Sequence, residues 1–154
     1  MHTIRQICSG KGAAWAEVLE TLPEWFGIAE ANAMYVRNVE ALPCFGAYFD
    51  DSIVGFLAVK VHTPFAAEIY VVGVKAMHRR TGIGRELVAH GQRYLAERDV
   101  RFFTVKTLSP SRPDPGYEET RRFYEAMGFM PIEEFPTLWN ADNPALMMAK
   151  VLVR

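Results

Sequence analysis

The stretch VKAMHRRTGIGRELV, residues 74–88, sets two arginines directly before a Gly-x-Gly turn and runs without pause into an amphipathic helix. A helix start is a cluster of unpaired backbone N–H groups carrying partial positive charge, so this spacing predicts an anion site. Gly82 and Gly84 remove the side chains that would hold phosphate oxygens away, and Arg79 and Arg80 can add charge-assisted bonds at the rim. A pyrophosphate matches so many donors better than a lone carboxylate does. Two phosphate loops are excluded: no G-K-[S/T] is present, and Leu87 stands where a dinucleotide fingerprint has its third glycine. A turn of this kind can also serve only to let a helix pack close to a strand.

Upstream, AAEIYVVGV (residues 66–74) is too β-branched and apolar for a surface segment and is expected to be a central strand. Gly73 inside it asks for a reason, usually a bulge or a close-approaching ligand. If the strand bends there, it parts from its parallel neighbour at residues 105–108 and leaves backbone groups for an elongated ligand. Downstream, a helix over 82–98 would bury Ile83, Leu87, Val88, Gly91 and Leu95, and VRFFTVKTL (100–108) returns to strand. Strand, crossover helix and strand make a right-handed parallel pair.

The rest of the chain extends this pattern. Asp114 and Pro115 read as N-cap and first-turn proline of the helix YEETRRFYEAM, which Gly128 ends in the left-handed conformation. Its EETRR run reads as a charged face with i, i+3 and i, i+4 pairs. Helices are expected over 13–26 and 29–42, then a hairpin FGAYF–DDS–IVGFLAVKV, with closing strands over 129–135 and 145–153 separated by PTLWNADNP. The fold class expected is α/β: a central mixed sheet with helices on both faces and splayed central parallel strands.

Composition narrows the function. The 154 residues, half of them hydrophobic, suit one domain over 1–154 with a single core. A net charge of -1 speaks against an extended nucleic-acid surface. Cys8 and Cys44 form no C-x-x-C pair, so they read as reduced thiols and no metal site is expected; the four histidines show no ligand spacing either. Nothing resembles a signal peptide or a membrane span, which places the protein in the cytoplasm with no membrane partner.

The run VKAMHRRTGIG resembles the acyl-CoA-binding motif of the GCN5-related N-acetyltransferase (GNAT) superfamily, Arg/Gln-x-x-Gly-x-Gly/Ala, on Arg79, Gly82 and Gly84. FYEAMGF, residues 123–129, resembles that superfamily's second landmark, a Tyr-containing helix end running into a strand. The resemblance implies acetyl-CoA as co-substrate. It implies that backbone groups of Val72, Gly73 and Val74 bond the pantetheine arm and acetyl carbonyl, and that the amides of Arg80, Thr81, Gly82, Ile83 and Gly84 hold the pyrophosphate. Ala76 stands where proline is frequent in the family, and Tyr117 where asparagine often holds the cofactor arm.

Acetyl transfer to an amine needs a neutral nucleophile, a polarised thioester and a proton for the leaving thiolate. Glu68 in its apolar run would have its pKa raised by desolvation toward the range of a general base; otherwise it is a strand-end carboxylate facing solvent. Some members of the superfamily carry a catalytic glutamate at this position. Tyr124 is the acid candidate, since a phenol is protonated at neutral pH and the family's matching tyrosine sits by the cofactor sulfur. The alternative is one core cluster of Phe123, Tyr124, Met127 and Phe129. Arg121 or Arg122 could reach a ribose phosphate, and His78 reads as a solvated loop residue.

In this superfamily the first two helices and the last loop wall the acceptor pocket, which here implies Trp25, Phe26, Tyr35 and Trp139, with Glu24, Glu133 or Glu134 attracting a cationic amine. The same residues could merely cap the core and charge the surface. The expected function is N-acetyltransferase by direct transfer to a small amine or, second, a protein amine, with a homodimer left open. Two rivals are a silent acyl-CoA-binding sensor or interaction module, and a binder of some other phosphate ligand.

Overall fold

A computed structural model describes residues 2–22 and 29–153 of the chain. The strands are β1 (His2–Ile7), β2 (Cys44–Phe49), β3 (Ser52–Thr63), β4 (Ala66–Val74), β5 (Phe102–Leu108), β6 (Met130–Asn140) and β7 (Asn143–Val151). The helices are α1 (Lys11–Leu19), α2 (Ala29–Asn38), α3 (Ile83–Ala96) and α4 (Pro115–Ala126), with short 3₁₀ turns at Val39–Ala41 and Ala76–His78. One mixed sheet runs in the order β1-β2-β3-β4-β5-β7-β6, with α3 as the crossover between neighbours β4 and β5. The residues cluster into two compact units, Met1–Lys60 with Ile69–Leu95 and Val61–Glu68 with Ala96–Arg154.

In the first unit, α1 and the strands around it bury Trp15, Val18, Leu19, Leu22, Phe56 and Val71 together. Trp15 is completely buried, its ring 5.3 Å from that of Phe56. The other side of β3 meets α3, where Ile83 and Leu87 pack at Gly55. The five positions expected on the apolar stripe of α3 are its buried residues. The period of 3.6 thus located this helix correctly, with ends trimmed from 82–98 to Ile83–Ala96.

In the second unit, β5 and β7 pair antiparallel from Phe102↔Val151 to Leu108↔Ala145. Phe103 meets Phe129 at 5.5 Å, and Tyr124 of α4 meets Phe129 edge-on at 5.7 Å. Asp114 caps α4 as expected: its Oδ1 accepts from the N–H of Gly116 at 3.0 Å and of Tyr117 at 3.1 Å, with Pro115 in the first turn. Gly128 is left-handed at φ +97° just past the helix. Arg122 and Glu118 form the i, i+4 pair at 2.8 Å.

β1, α1, β6 and β7 depart from the sequence reading. β1 was not expected; His2 to Ile7 pair antiparallel with β2, yet only Ile7 is buried. An outermost strand is held by its backbone ladder and leaves little hydrophobic pattern. α1 ends at Leu19, short of the expected 26, and β6 and β7 extend to a two-residue turn where a loop was expected. Their pairing slips between Phe135 and Asn140, the segment containing Pro136, which an edge strand tolerates because one side makes no ladder.

Tyr70 and Gly73 both face the α1/α2 layer. The Tyr70 ring stands 5.3 Å from Tyr35 and its hydroxyl accepts from Asn38 Nδ2 at 2.9 Å, while a Cβ on Gly73 would lie 3.0 Å from the Trp15 ring. Residues three apart in a regular strand point to opposite faces, so β4 gains a residue between them, as at a bulge. The room at Gly73 is taken up by Trp15. Gly73→Ala is therefore expected to destabilise the chain by about 1–3 kcal/mol, as an added methyl does in a packed core, and denaturant unfolding measures it. The cost should shrink in a Trp15→Phe background, which a double-mutant cycle reads directly.

Candidate active site

The turn after β4 is fixed at its base before it opens. Lys75 N–H donates to the Val54 carbonyl at 2.8 Å, Ala76 N–H to Thr21 Oγ1 at 3.2 Å, and Lys75 Nζ pairs with Glu17 at 2.6 Å. The His78 ring stacks on Phe49 at 5.1 Å, so this histidine is a wall of the turn and not the solvated residue expected. Thr81 Oγ1 donates back to the His78 carbonyl at 2.5 Å.

The backbone then turns left-handed twice, at Arg80 (φ +62°) and Gly82 (φ +85°), immediately before α3. Such reversals set successive N–H groups converging on one side, where they add to the positive end of the helix. No atom lies within 4 Å of where a Gly82 side chain would begin, so the glycine is required by its backbone angle and leaves the approach clear. Ile83 points its side chain inward, leaving its backbone N–H as what it can offer a ligand. Arg79, Arg80, Thr81 and Gly82 are exposed, Gly84 half-buried. These residues fit a diphosphate. Val72, Gly73 and Val74 are half-buried at the end of β4, directly after the break in alternation.

Glu68 lies in the second unit, near the start of β4. It is not the isolated carboxylate of an apolar run. Its Oε1 is 2.7 Å from His62 Nε2 and its Oε2 accepts from Lys106 Nζ at 2.8 Å. Charge from β5 and a hydrogen bond from β3 thus offset the cost of its burial. The sequence carries half of this signal: His62 and Glu68 flank a tight turn at Pro64 and Phe65, and hairpin pairing brings them together. Nothing in spacing marks Lys106, which arrives by the crossover.

Tyr124 is buried on α4, between Phe123 at 5.5 Å and Phe129 at 5.7 Å, so it does belong to the aromatic cluster. Burial pushes its phenol pKa up, with a smaller contribution from Tyr117, which keeps it protonated well past neutrality. Tyr117 is half-buried in the first turn of the same helix. Thr107 Oγ1 on β5 is buried with no hydrogen-bond partner among the described residues. Arg121 departs from its expected role. Its guanidinium is buried and donates to the Leu108 carbonyl at 2.7 Å, closing the end of β5 instead of reaching out to a phosphate.

Of the expected acceptor-side residues, Trp25, Phe26 and Glu24 lie outside the described residues. Tyr35 stacks edge-on against Tyr70, and Trp139 is exposed on β6. Glu134 is exposed and accepts from Ser109 Oγ at 2.5 Å and from Ser111 Oγ. These bonds hold its carboxyl below the usual range, so it stays anionic at neutral pH. It borders an open depression of about 810 Å³ with Arg112, Pro113, Pro136 and Pro144. The two serines were not singled out in the sequence; their signal is their place just after a strand that ends at Leu108.

Residues 11–129 match the model of the acetyltransferase (GNAT) family, and the chain belongs to that family. It is similar to a mycothiol acetyltransferase from Thermomonospora curvata, 33% identical over 80 residues; that match spans 52% of this chain and only 25% of the relative. Its fold is similar to that of an aminoglycoside 6'-N-acetyltransferase complexed with coenzyme A (TM-score 0.79, 20% identity, 99% of this chain and 98% of that one). It is similar also to the ribosomal-protein-S18-alanine N-acetyltransferase from Escherichia coli (TM-score 0.80, 18% identity, 100% and 96%).

Two measurements check the site's electrostatics. Cys44 is buried, its thiol pushed up to about 12 by burial, whereas Cys8 is exposed; a thiol reagent at pH 8 should therefore label one cysteine in the native chain and two after denaturation. Tyr124 keeps its proton in the folded chain when the unfolded chain, with a phenol near 10, has lost it. Its contribution is thus complete below about pH 10 and declines above it, so unfolding free energy should fall less between pH 9 and 11 in Tyr124→Phe than in the wild type.

Proposed function

We propose that the protein is a single-domain N-acetyltransferase that moves the acetyl group of acetyl-CoA directly to an amine, a small primary amine first and a protein N-terminus or lysine second. The observation that carries this is the doubly left-handed turn at Arg80 and Gly82 on the tip of α3, in a chain of the GNAT family. The amides of Arg80 to Gly84, with Arg79, bind the diphosphate. Val72, Gly73 and Val74 pair with the pantetheine arm at the end of β4, and Tyr117 lines the arm.

The basic group is built around Glu68, and Tyr124 is the proton donor. Passing a proton fully from so high a phenol to a thiolate of ordinary pKa, about 8.5, is uphill, so Tyr124 acts chiefly by donating a hydrogen bond to the leaving sulfur. The anionic Glu134 draws a cationic amine toward the acceptor side. The fold neighbours, an aminoglycoside 6'-N-acetyltransferase and a ribosomal-protein-S18-alanine N-acetyltransferase, support that class. The protein works in the cytoplasm, and the exposed edge strand β6 offers a homodimer contact.

Calorimetry with acetyl-CoA and turnover on an aminoglycoside, a polyamine and an alanine-ended peptide test the reading. Gly82→Val, forced into a left-handed backbone, is expected to weaken acetyl-CoA binding at least ~10-fold, the loss of about 1.4 kcal/mol. Glu68→Gln should lower kcat by about 10²-fold or more with the acetyl-CoA Kd unchanged. Tight binding with no turnover on any amine would leave the sensor module standing. ADP binding as tightly as acetyl-CoA would favour another phosphate ligand.

A further inference from the structure

The carboxylate of Glu68 has both oxygens engaged, Oε2 by the Lys106 ammonium and Oε1 by the His62 ring. Its side chain is 12% exposed, that of His62 42%. The solvent-facing member of this group is therefore the imidazole. The charged groups facing the ring among the described residues are Glu68 from β4 and, through it, Lys106 from β5. A carboxylate accepts and does not donate, so the neutral ring carries its proton on Nε2, toward Glu68. Nδ1 is left with a lone pair on the side away from the carboxylate. This is the arrangement by which a carboxylate orients an imidazole, fixes its tautomer and stabilises the imidazolium once formed.

We infer that His62 is the group that takes the acceptor's proton, with Glu68 as its positioning residue and Lys106 bonded to the other oxygen of Glu68. The inference rests on the acetyltransferase reading and deepens it at one point, the atom that receives the proton. An ammonium acceptor gives one proton to Nδ1 and becomes a neutral amine, and the ring becomes an imidazolium paired with Glu68. The nitrogen lone pair then forms the C–N bond to the thioester carbon. The C–S bond breaks, its electron pair leaves on the CoA sulfur, and the amide nitrogen's surplus proton passes to water. Charge and atoms balance with the imidazolium returning its proton to solvent before the next turnover.

Both oxygens of Glu68 are already engaged, so direct proton capture by the carboxylate would have to displace one of these bonds. Nδ1 of His62, on the more exposed member of the group, keeps its lone pair for the acceptor.

The test uses the purified full chain with acetyl-CoA and the best amine from the panel above. His62→Ala is expected to lower kcat about 10²-fold or more, to leave acetyl-CoA affinity unchanged, and to abolish the ascending limb of kcat/KM against pH. Added imidazole should restore part of its turnover, a readout that a purely structural hairpin tie would not give. Lys106→Met should keep the limb, since it removes neither member of the dyad. Independently of activity, ¹⁵N shifts of the neutral His62 ring should report the Nε2–H tautomer in the wild type and lose that preference in Glu68→Gln. A folded His62→Ala with wild-type kcat and limb overturns the inference while leaving the enzyme reading intact, as does a loss of turnover that imidazole does not rescue. A wild-type chain that binds no acetyl-CoA and acetylates no amine overturns both together.

Discussion

A buried indole pressed against a strand that has no side chain to offer is the contact from which the rest of the first unit follows. Trp15 fills the α1 side of β4 at Gly73, and the strand can present that glycine there only by breaking its two-residue alternation after Tyr70. β4 runs on from there to Val74. Lys75 and Ala76 are then tied to Val54 and Thr21, so the turn begins from a fixed base, and the left-handed residues Arg80 and Gly82 aim the tip of α3. Core packing and anion-site geometry are thus one constraint, since an error in the strand's phase would rotate every amide that follows it.

The carboxylates of the second unit show how setting divides similar groups between tasks. Glu68 is largely covered and is bonded to an ammonium and an imidazole on the neighbouring strands. Glu134 is exposed and owes its lowered pKa to two serine hydroxyls at the end of β5. The first is suited to holding a neighbour in place, the second to attracting a cation from solution. Arg121, spent on the Leu108 carbonyl, shows the converse: a charged side chain with a plausible ligand role that the fold uses to finish a strand.

Motifs that act through the backbone were readable from residue order. Asp114–Pro115 capped α4, Gly128 followed its end in the left-handed form, the apolar stripe of α3 was buried, and the RRTGIG run formed a helix-tip turn. Each depends on the conformational limits of a few adjacent residues, which tertiary context seldom overrides. The outer strands read poorly. β1 has one buried residue, and β6 has prolines and a slipped register, so their existence rests on pairing partners far along the chain.

The same distinction applies to the site. Local sequence determined that a left-handed glycine turn and a helix tip follow a central strand, because glycine and helix-start chemistry are properties of short segments. It also singled out Glu68 and Tyr124 as candidates for the chemistry. Only the folded chain decided what surrounds them: Lys106 and His62 around the carboxylate, Phe123 and Phe129 around the phenol, Trp15 against Gly73. Electrostatic setting is the sum of neighbours brought in by hairpin pairing and by a crossover helix, and for residues as far apart as 68 and 106 no spacing rule can supply it.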